Sequence, residues 1–258
     1  MIIYYSLLAF IIGCILGSFS NVCIYRLPLN KQFITGSSYC PKCKKKIIWY
    51  DNLPLISYIN LNGKCRNCKK KISFNYFLVE LISGFCALYN FLNYNNFYEI
   101  IFLQLLVVIF LIIYFIDLKH FIIPDILNLS FIALAFFKNF IPDFESSFTY
   151  DLNNSIIGGV IGYLIIWSII FSYKKLKNIE AMGLGDAKLM AGVGLLFGWY
   201  SVFVVLFISA ILGLIFSLPD LIKNTKNLKT KIPFGPFIII STIIYYFYGS
   251  FIIKLILL

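Results

Sequence analysis

The chain has 258 residues, 60% hydrophobic and only 13% charged, with a mean hydropathy of +0.88 and a formal net charge of +11. That balance excludes an ordinary soluble domain, in which about half the residues are apolar and about a quarter charged. It also argues against a nucleic-acid partner, because the cations are scattered over segments between apolar runs, where membrane topology and anionic lipid account for them.

A helix needs about 20 apolar residues to cross a hydrocarbon layer, and in lipid its backbone groups must be satisfied within the segment. Eight spans are predicted, at residues 2–24, 75–93, 98–117, 121–141, 155–173, 186–199, 201–218 and 236–256. The sixth is short, and Gly198-Trp199-Tyr200 leaves a tight turn before the seventh. The first has no basic residue ahead of it and no small-residue cleavage pattern after it, so it is expected to be retained as a helix rather than removed as a signal. The fold class is all-α polytopic membrane protein, with about eight transmembrane helices and a small cytoplasmic zinc-ribbon-like loop domain.

Basic residues accumulate on cytoplasmic loops. The odd-numbered gaps between spans hold eleven cations from Arg26 to Lys71, then Lys119, then Lys174, Lys175 and Lys177, then Lys223, Lys226, Lys229 and Lys231. The even gaps and the C-terminus hold little beyond Lys138 and Lys254. This predicts an N-terminus outside and a cytoplasmic first loop. Residues 141–154, IPDFESSFTYDLNN, read as an acidic outside loop.

The first loop carries CPKC (Cys40, Cys43) and CRNC (Cys65, Cys68), separated by residues 44–64. Each knuckle can present two thiolates to one tetrahedral ion while the intervening residues fold back as a hairpin. A reducing cytoplasm argues against two disulfides. Four cysteines leave no vacant ligand position, so the expected zinc is structural, clamping a loop too short and polar to build a core. Cys14, Cys23 and Cys86 lie in apolar spans, where a thiol behaves as a small hydrophobe.

An ionisable residue in or at the edge of a span is costly and is read as functional, with a partner to be named. The candidates are Glu80, Asp117, Asp125 and Asp186. By the span count, the third helix ends at Asp117 and the sixth begins at Asp186, so both carboxylates reach the cytoplasmic face from different helices. Two neighbouring carboxylates cannot both ionise cheaply, and a pair sharing one proton can activate water and protonate a leaving amine. Gly183 and Gly185 permit an irregular backbone and close approach of a substrate strand, and Pro124 marks an interruption. The plain alternatives are a helix N-terminus that favours Asp186, Asp117 as a boundary residue, and Glu80 paired with a lysine or His120. Two rival functions are a proton-coupled transporter, disfavoured because the cysteine loop has no counterpart in the other half, and a non-catalytic anchor for a zinc-ribbon module.

Five motifs in order then resemble one family: GSFSNVCIYRLP (17–28), the two knuckles around IIWYDNLPLISYINLNGK, NYFLVEL (75–81), FIDLKHFIIPD (115–125) and GLGDAKL (183–189). The chain resembles the type IV prepilin leader peptidases, polytopic aspartic proteases of the Gly-x-Gly-Asp class. The resemblance implies a bacterial inner-membrane enzyme with prepilins or pilin-like secretion subunits as substrates. It cuts their basic leaders at the cytoplasmic face and then N-methylates the new terminus with S-adenosylmethionine. It also implies catalytic roles for Asp117 and Asp186 and a supporting place for Pro124, Asp125, Gly183 and Gly185. Residues 1–25 are then the first membrane helix, 26–74 the methyltransferase-associated cysteine domain and 75–258 the peptidase domain. A peptidase without methyl transfer remains a close alternative, and neither the S-adenosylmethionine-binding residues nor the oligomeric state follows from the resemblance.

Overall fold

The structure, a computed structural model, describes residues 2–32, 38–141, 151–177, 182–222 and 232–256. Nine α-helices occur among them: α1 (Ile2–Arg26), α2 (Ile56–Asn60), α3 (Phe74–Asn93), α4 (Phe97–His120), α5 (Asp125–Phe137), α6 (Leu152–Lys177), α7 (Leu184–Phe197), α8 (Trp199–Ile222) and α9 (Gly235–Ile256). Apart from the short α2, each overlaps one of the eight predicted spans, with shifted ends. Six of them, α1, α3, α4, α6, α8 and α9, are long and apolar enough to cross a membrane. The other two, α5 and α7, have 13 and 14 residues and fall short of the usual span length.

Their shortness has local causes. Pro124 lacks an N–H and drives the preceding residue away from helical geometry, so α5 starts only at Asp125 and the predicted 121–141 span loses its first turn. At its other end the chain tightens into a 3₁₀ turn over Lys138–Phe140. Gly198 stops α7 with a left-handed φ of +84° while its N–H reaches the Gly194 carbonyl, a conformation glycine adopts without steric cost.

Two compact units divide the chain at Ile112/Ile113, within α4. In the first unit α1 lies directly on α3. A Cβ added at Gly13 would come within 2.6 Å of Ala87 Cβ and the Ser83 carbonyl, and Ser83 Oγ donates to the Gly13 carbonyl at 2.7 Å. Small residues with a cross-helix hydroxyl are how helices associate where lipid offers no hydrophobic contrast.

The second unit is organised around α7, which touches α5, α6, α8 and α9. Eleven of its residues, Asp186, Ala187 and Leu189–Phe197, are buried. A helix apolar all round belongs in an interior, and its small residues admit the neighbours: Gly194 meets the backbone of Gly158 and Gly159 on α6, and Gly192 lies against the Phe131 ring of α5. The predicted outside loop, over 142–150, and the last basic loop, over 223–231, lie outside the described residues.

Candidate active site and metal centre

Asp117 sits in the last turn of α4 and is 4% exposed. The helix stops one turn later at Phe121, whose φ of +56° is left-handed and whose N–H closes on the Asp117 carbonyl at 2.9 Å. An αL residue just past a helix end satisfies carbonyls that would otherwise be orphaned. The carboxylate itself accepts from a distant partner: the Gly235 amide, at the start of α9, donates to Asp117 Oδ2 at 3.0 Å.

Asp186 lies in the first turn of α7 and is 8% exposed. Its Oδ2 accepts from the Gly183 amide at 3.2 Å, so the helix-start alternative for this aspartate is realised and coexists with burial. Gly183 is extended, with φ −84° and ψ 150°, and a Cβ there would meet nothing closer than 3.8 Å. At Gly185 a Cβ would lie 3.1 Å from Ile123 Cβ. Of the two glycines, the second is therefore the one that close packing requires.

Ile123 ties the parts together. Its side chain lies against Gly185, the neighbour of Asp186, and against Gly235, the donor to Asp117. Asp117 and Asp186 thus belong to segments that share Ile123 as a neighbour. Two buried carboxylates so placed, each already holding one backbone N–H, can share a proton and divide the roles of base and acid.

The supporting residues fall around this pair. Pro124 is the N-cap of α5 and Asp125 its first residue. Asp125 Oδ1 meets Lys188 Nζ of α7 at 2.6 Å, with side-chain exposures of 69% and 32%. Asp125 is thus an exposed clasp between α5 and α7 rather than a member of the buried pair.

Sequence reasoning missed Asn128 and Gly235. Asn128 is fully buried on α5 and donates from Nδ2 to the Gly185 carbonyl at 3.1 Å, fixing the segment that carries Asp186. A wholly buried amide in an apolar helix is a readable signal. Gly235 could have been found only through PFGP, where prolines flank a glycine at a helix start.

In the first unit the four predicted ligands converge: the sulfurs of Cys40, Cys43, Cys65 and Cys68 all lie within 4.8 Å of one another, and Cys40 Sγ is 4.0 Å from Cys68 Sγ. A tetrahedral ion with Zn–S bonds of about 2.3 Å needs sulfurs about 3.8 Å apart, so the set fits a zinc ion with little movement.

The two knuckles are built alike. Cys40 N donates to Lys45 O and Lys44 N to Cys40 O; in the second, Cys65 N donates to Lys70 O and Lys69 N to Cys65 O. Lys44 and Lys69 both take left-handed backbone, φ +58° and +57°. The Cys68 amide holds the Cys65 thiol down, to about 7. Arg66, inside the second knuckle, grips Asp51 of the intervening segment through two bonds of 2.8 and 2.7 Å, and that grip keeps the Asp51 carboxyl below the usual range.

Glu80 has a partner other than the predicted cation. Its Oε2 accepts from the Leu55 amide at 2.8 Å, and Leu55 is itself left-handed at φ +61°. The carboxylate on α3 thereby anchors a strained turn of the cysteine loop.

The family model described as the bacterial Peptidase A24 N-terminal domain matches residues 11–94, and that of the type IV leader peptidase family matches 104–218. A prepilin leader peptidase/N-methyltransferase of Vibrio cholerae serotype O1 is 36% identical, over 94% of this chain and 96% of that protein. The chain belongs to the type IV leader peptidase family. Similar proteins of the same name from Stutzerimonas stutzeri (32% identical, 92% of this chain, 88% of that one) and Aeromonas hydrophila (30%, 93% and 89%) align over comparable lengths. No solved structure matches significantly. Within the family the first matched segment contains the four-cysteine cluster and Glu80, and the second contains Asp117, Asp125, Asn128 and Asp186. Gly235 lies beyond both segments.

Proposed function

We propose that this chain is a prepilin leader peptidase that also N-methylates the terminus it exposes, with Asp117 and Asp186 as the catalytic pair. The observation that carries this reading is the burial of two aspartates from different helices, each on a glycine amide, in a chain that aligns with such an enzyme over 94% of its length. The ionised carboxylate takes a proton from water as the oxygen adds to the scissile carbonyl. The protonated one then supplies a proton to the amide nitrogen, the C–N bond breaks, and the new amine leaves. The substrates are prepilins or pilin-like secretion subunits, whose apolar bodies lie in the bilayer.

The distribution of cations supports a multi-pass protein of the bacterial inner membrane with its N-terminus outside and the aspartates facing the cytoplasm. In that orientation the cysteine segment is cytoplasmic, and a closed four-thiolate zinc is structural there. S-adenosylmethionine would supply the methyl group. The described residues form no strand leading into a glycine-rich nucleotide turn, so no residue is assigned to holding it and no step is routed through it. Incubating detergent-extracted protein with a prepilin and S-adenosylmethionine, then sequencing the product's N-terminus and measuring its mass, tests the proposal. Leader removal with one added methyl group is expected. Leader removal alone would leave a peptidase only, and an intact substrate would refute the proposal.

A further inference from the structure

The start of α9 is arranged around one free backbone donor. A helix leaves its first N–H groups without intrahelical partners. Here Phe237 N and Ile238 N both turn back to the Phe234 carbonyl, at 3.0 and 3.1 Å. Pro233 and Pro236 have no N–H to give. Gly235, between those prolines, donates its amide to Asp117 Oδ2 at 3.0 Å, a bond buried between residues 118 apart in sequence. The positive end of a helix dipole also favours a carboxylate placed there.

The absence of a side chain at 235 matters as much as the N–H. A Cβ there would stand 2.8 Å from Asp117 Oδ2, 3.4 Å from Asp117 Cγ and 3.1 Å from Ile123 Cδ1. No left-handed φ is involved, since Gly198 and Gly63 are the described glycines with positive φ. Backbone freedom therefore does not explain a glycine at this position; the approach of the carboxylate does.

We infer that Gly235 is a positioning residue for leader removal, its amide and bare Cα together fixing where Asp117 presents its carboxylate. The inference rests on the reading of Asp117 and Asp186 as the catalytic pair. Misplacing a reacting group by about 1 Å costs on the order of 100-fold in rate. Relieving the 2.8 Å contact moves the carboxylate by a fraction of that distance, so Gly235→Ala should lower kcat for leader removal by about 10-fold or more. KM for the prepilin, zinc content and methylation of a pre-cleaved substrate should stay near wild type, a split that a general loss of folding would not produce.

Two further variants separate the carboxylate from mere crowding. Ile123→Val removes Cδ1, so if crowding of Ile123 were the cause, adding it to Gly235→Ala would restore cleavage. No restoration is expected. Gly213→Ala, whose Cβ would sit an ordinary 3.5 Å from Phe237, should cleave normally.

A measurement on the unaltered glycine covers the case in which Gly235→Ala does not fold. In protein labelled with ¹⁵N-glycine, the Gly235 amide resonance should move with pH in step with cleavage activity, and Asp117→Asn should abolish that movement. Near-normal kcat in Gly235→Ala, rescue by Ile123→Val, or a Gly235 amide indifferent to Asp117→Asn would each overturn the inference. If Asp117→Asn itself cleaved normally, the catalytic pair would fail instead.

Discussion

Stripping the metal from the cysteine loop should unfold that loop alone, and the structure says why. From residue 38 to 73 only Cys40 and Gly63 are buried, so the segment has no apolar core to survive on. Two of its ties involve charged groups and can be sized. The Arg66–Asp51 pair is 48% exposed on the arginine side, which places it among surface pairs worth about 0–1 kcal/mol. The Leu55 amide on Glu80 adds one hydrogen bond to a charged group, about 1.5–3 kcal/mol. Against these stand left-handed backbone at Lys44, Leu55, Asn62 and Lys69, costing on the order of 1 kcal/mol or more each. The strain offsets or exceeds these two ties, whereas a structural zinc contributes about 10–16 kcal/mol of apparent binding free energy. The purified protein should carry about one equivalent of zinc. Chelation, or Cys65→Ser, should open the lysines of the loop to trypsin while far-UV circular dichroism from the long helices changes little. Cys65→Ser should weaken zinc binding by more than the 10–100-fold typical of losing an outer-shell partner. Equal zinc content in wild type and Cys65→Ser, or unchanged trypsin resistance after chelation, would refute this reasoning.

Asn128→Ala leaves the Gly185 carbonyl without its donor, and a lost buried hydrogen bond costs about 1–3 kcal/mol; a lower melting temperature together with slower leader removal is expected, and an unchanged kcat would deny Asn128 any part in placing Asp186. Asp125→Asn removes an exposed ion pair worth at most about 1 kcal/mol, so cleavage should fall only a few-fold and membrane insertion should be normal. For orientation, single cysteines at Lys174 and Lys226 should be shielded from impermeant thiol reagents on intact cells; ready labelling at both would reverse the proposed topology.

Much of this was legible in the sequence because it rests on residue type. Carboxylates in lipid are costly wherever they sit, so Asp117 and Asp186 stand out, and the paired CxxC knuckles single out the four cysteines whose sulfurs converge. Span lengths are less legible: the stretch 121–141 is apolar on average, while the helix obeys Pro124 and starts at Asp125. For Glu80 the residue type suggests a lysine or His120 as partner, but a backbone amide takes that place. Backbone donors carry no residue-type signal, so the Gly235 amide, 118 positions from the carboxylate it holds, became visible only in the fold. Asn128 is uncharged, so the cost that singles out carboxylates in lipid does not single it out. Gly183 and Gly185 look equivalent in GLGD, yet only the second is crowded, by an isoleucine from another segment.

The most direct test of the central claim is the rate of leader removal by Asp117→Asn, Asp186→Asn and the double variant, in preparations matched for membrane insertion and zinc content. An amide of nearly the same shape can neither take the proton from water nor share one with its neighbour. Each single variant should therefore lose orders of magnitude in kcat, and the double variant should be little worse, because groups acting as a unit are strongly non-additive. Methylation of a substrate supplied already cleaved should persist in all three. Near-normal leader removal by either single variant would contradict the account.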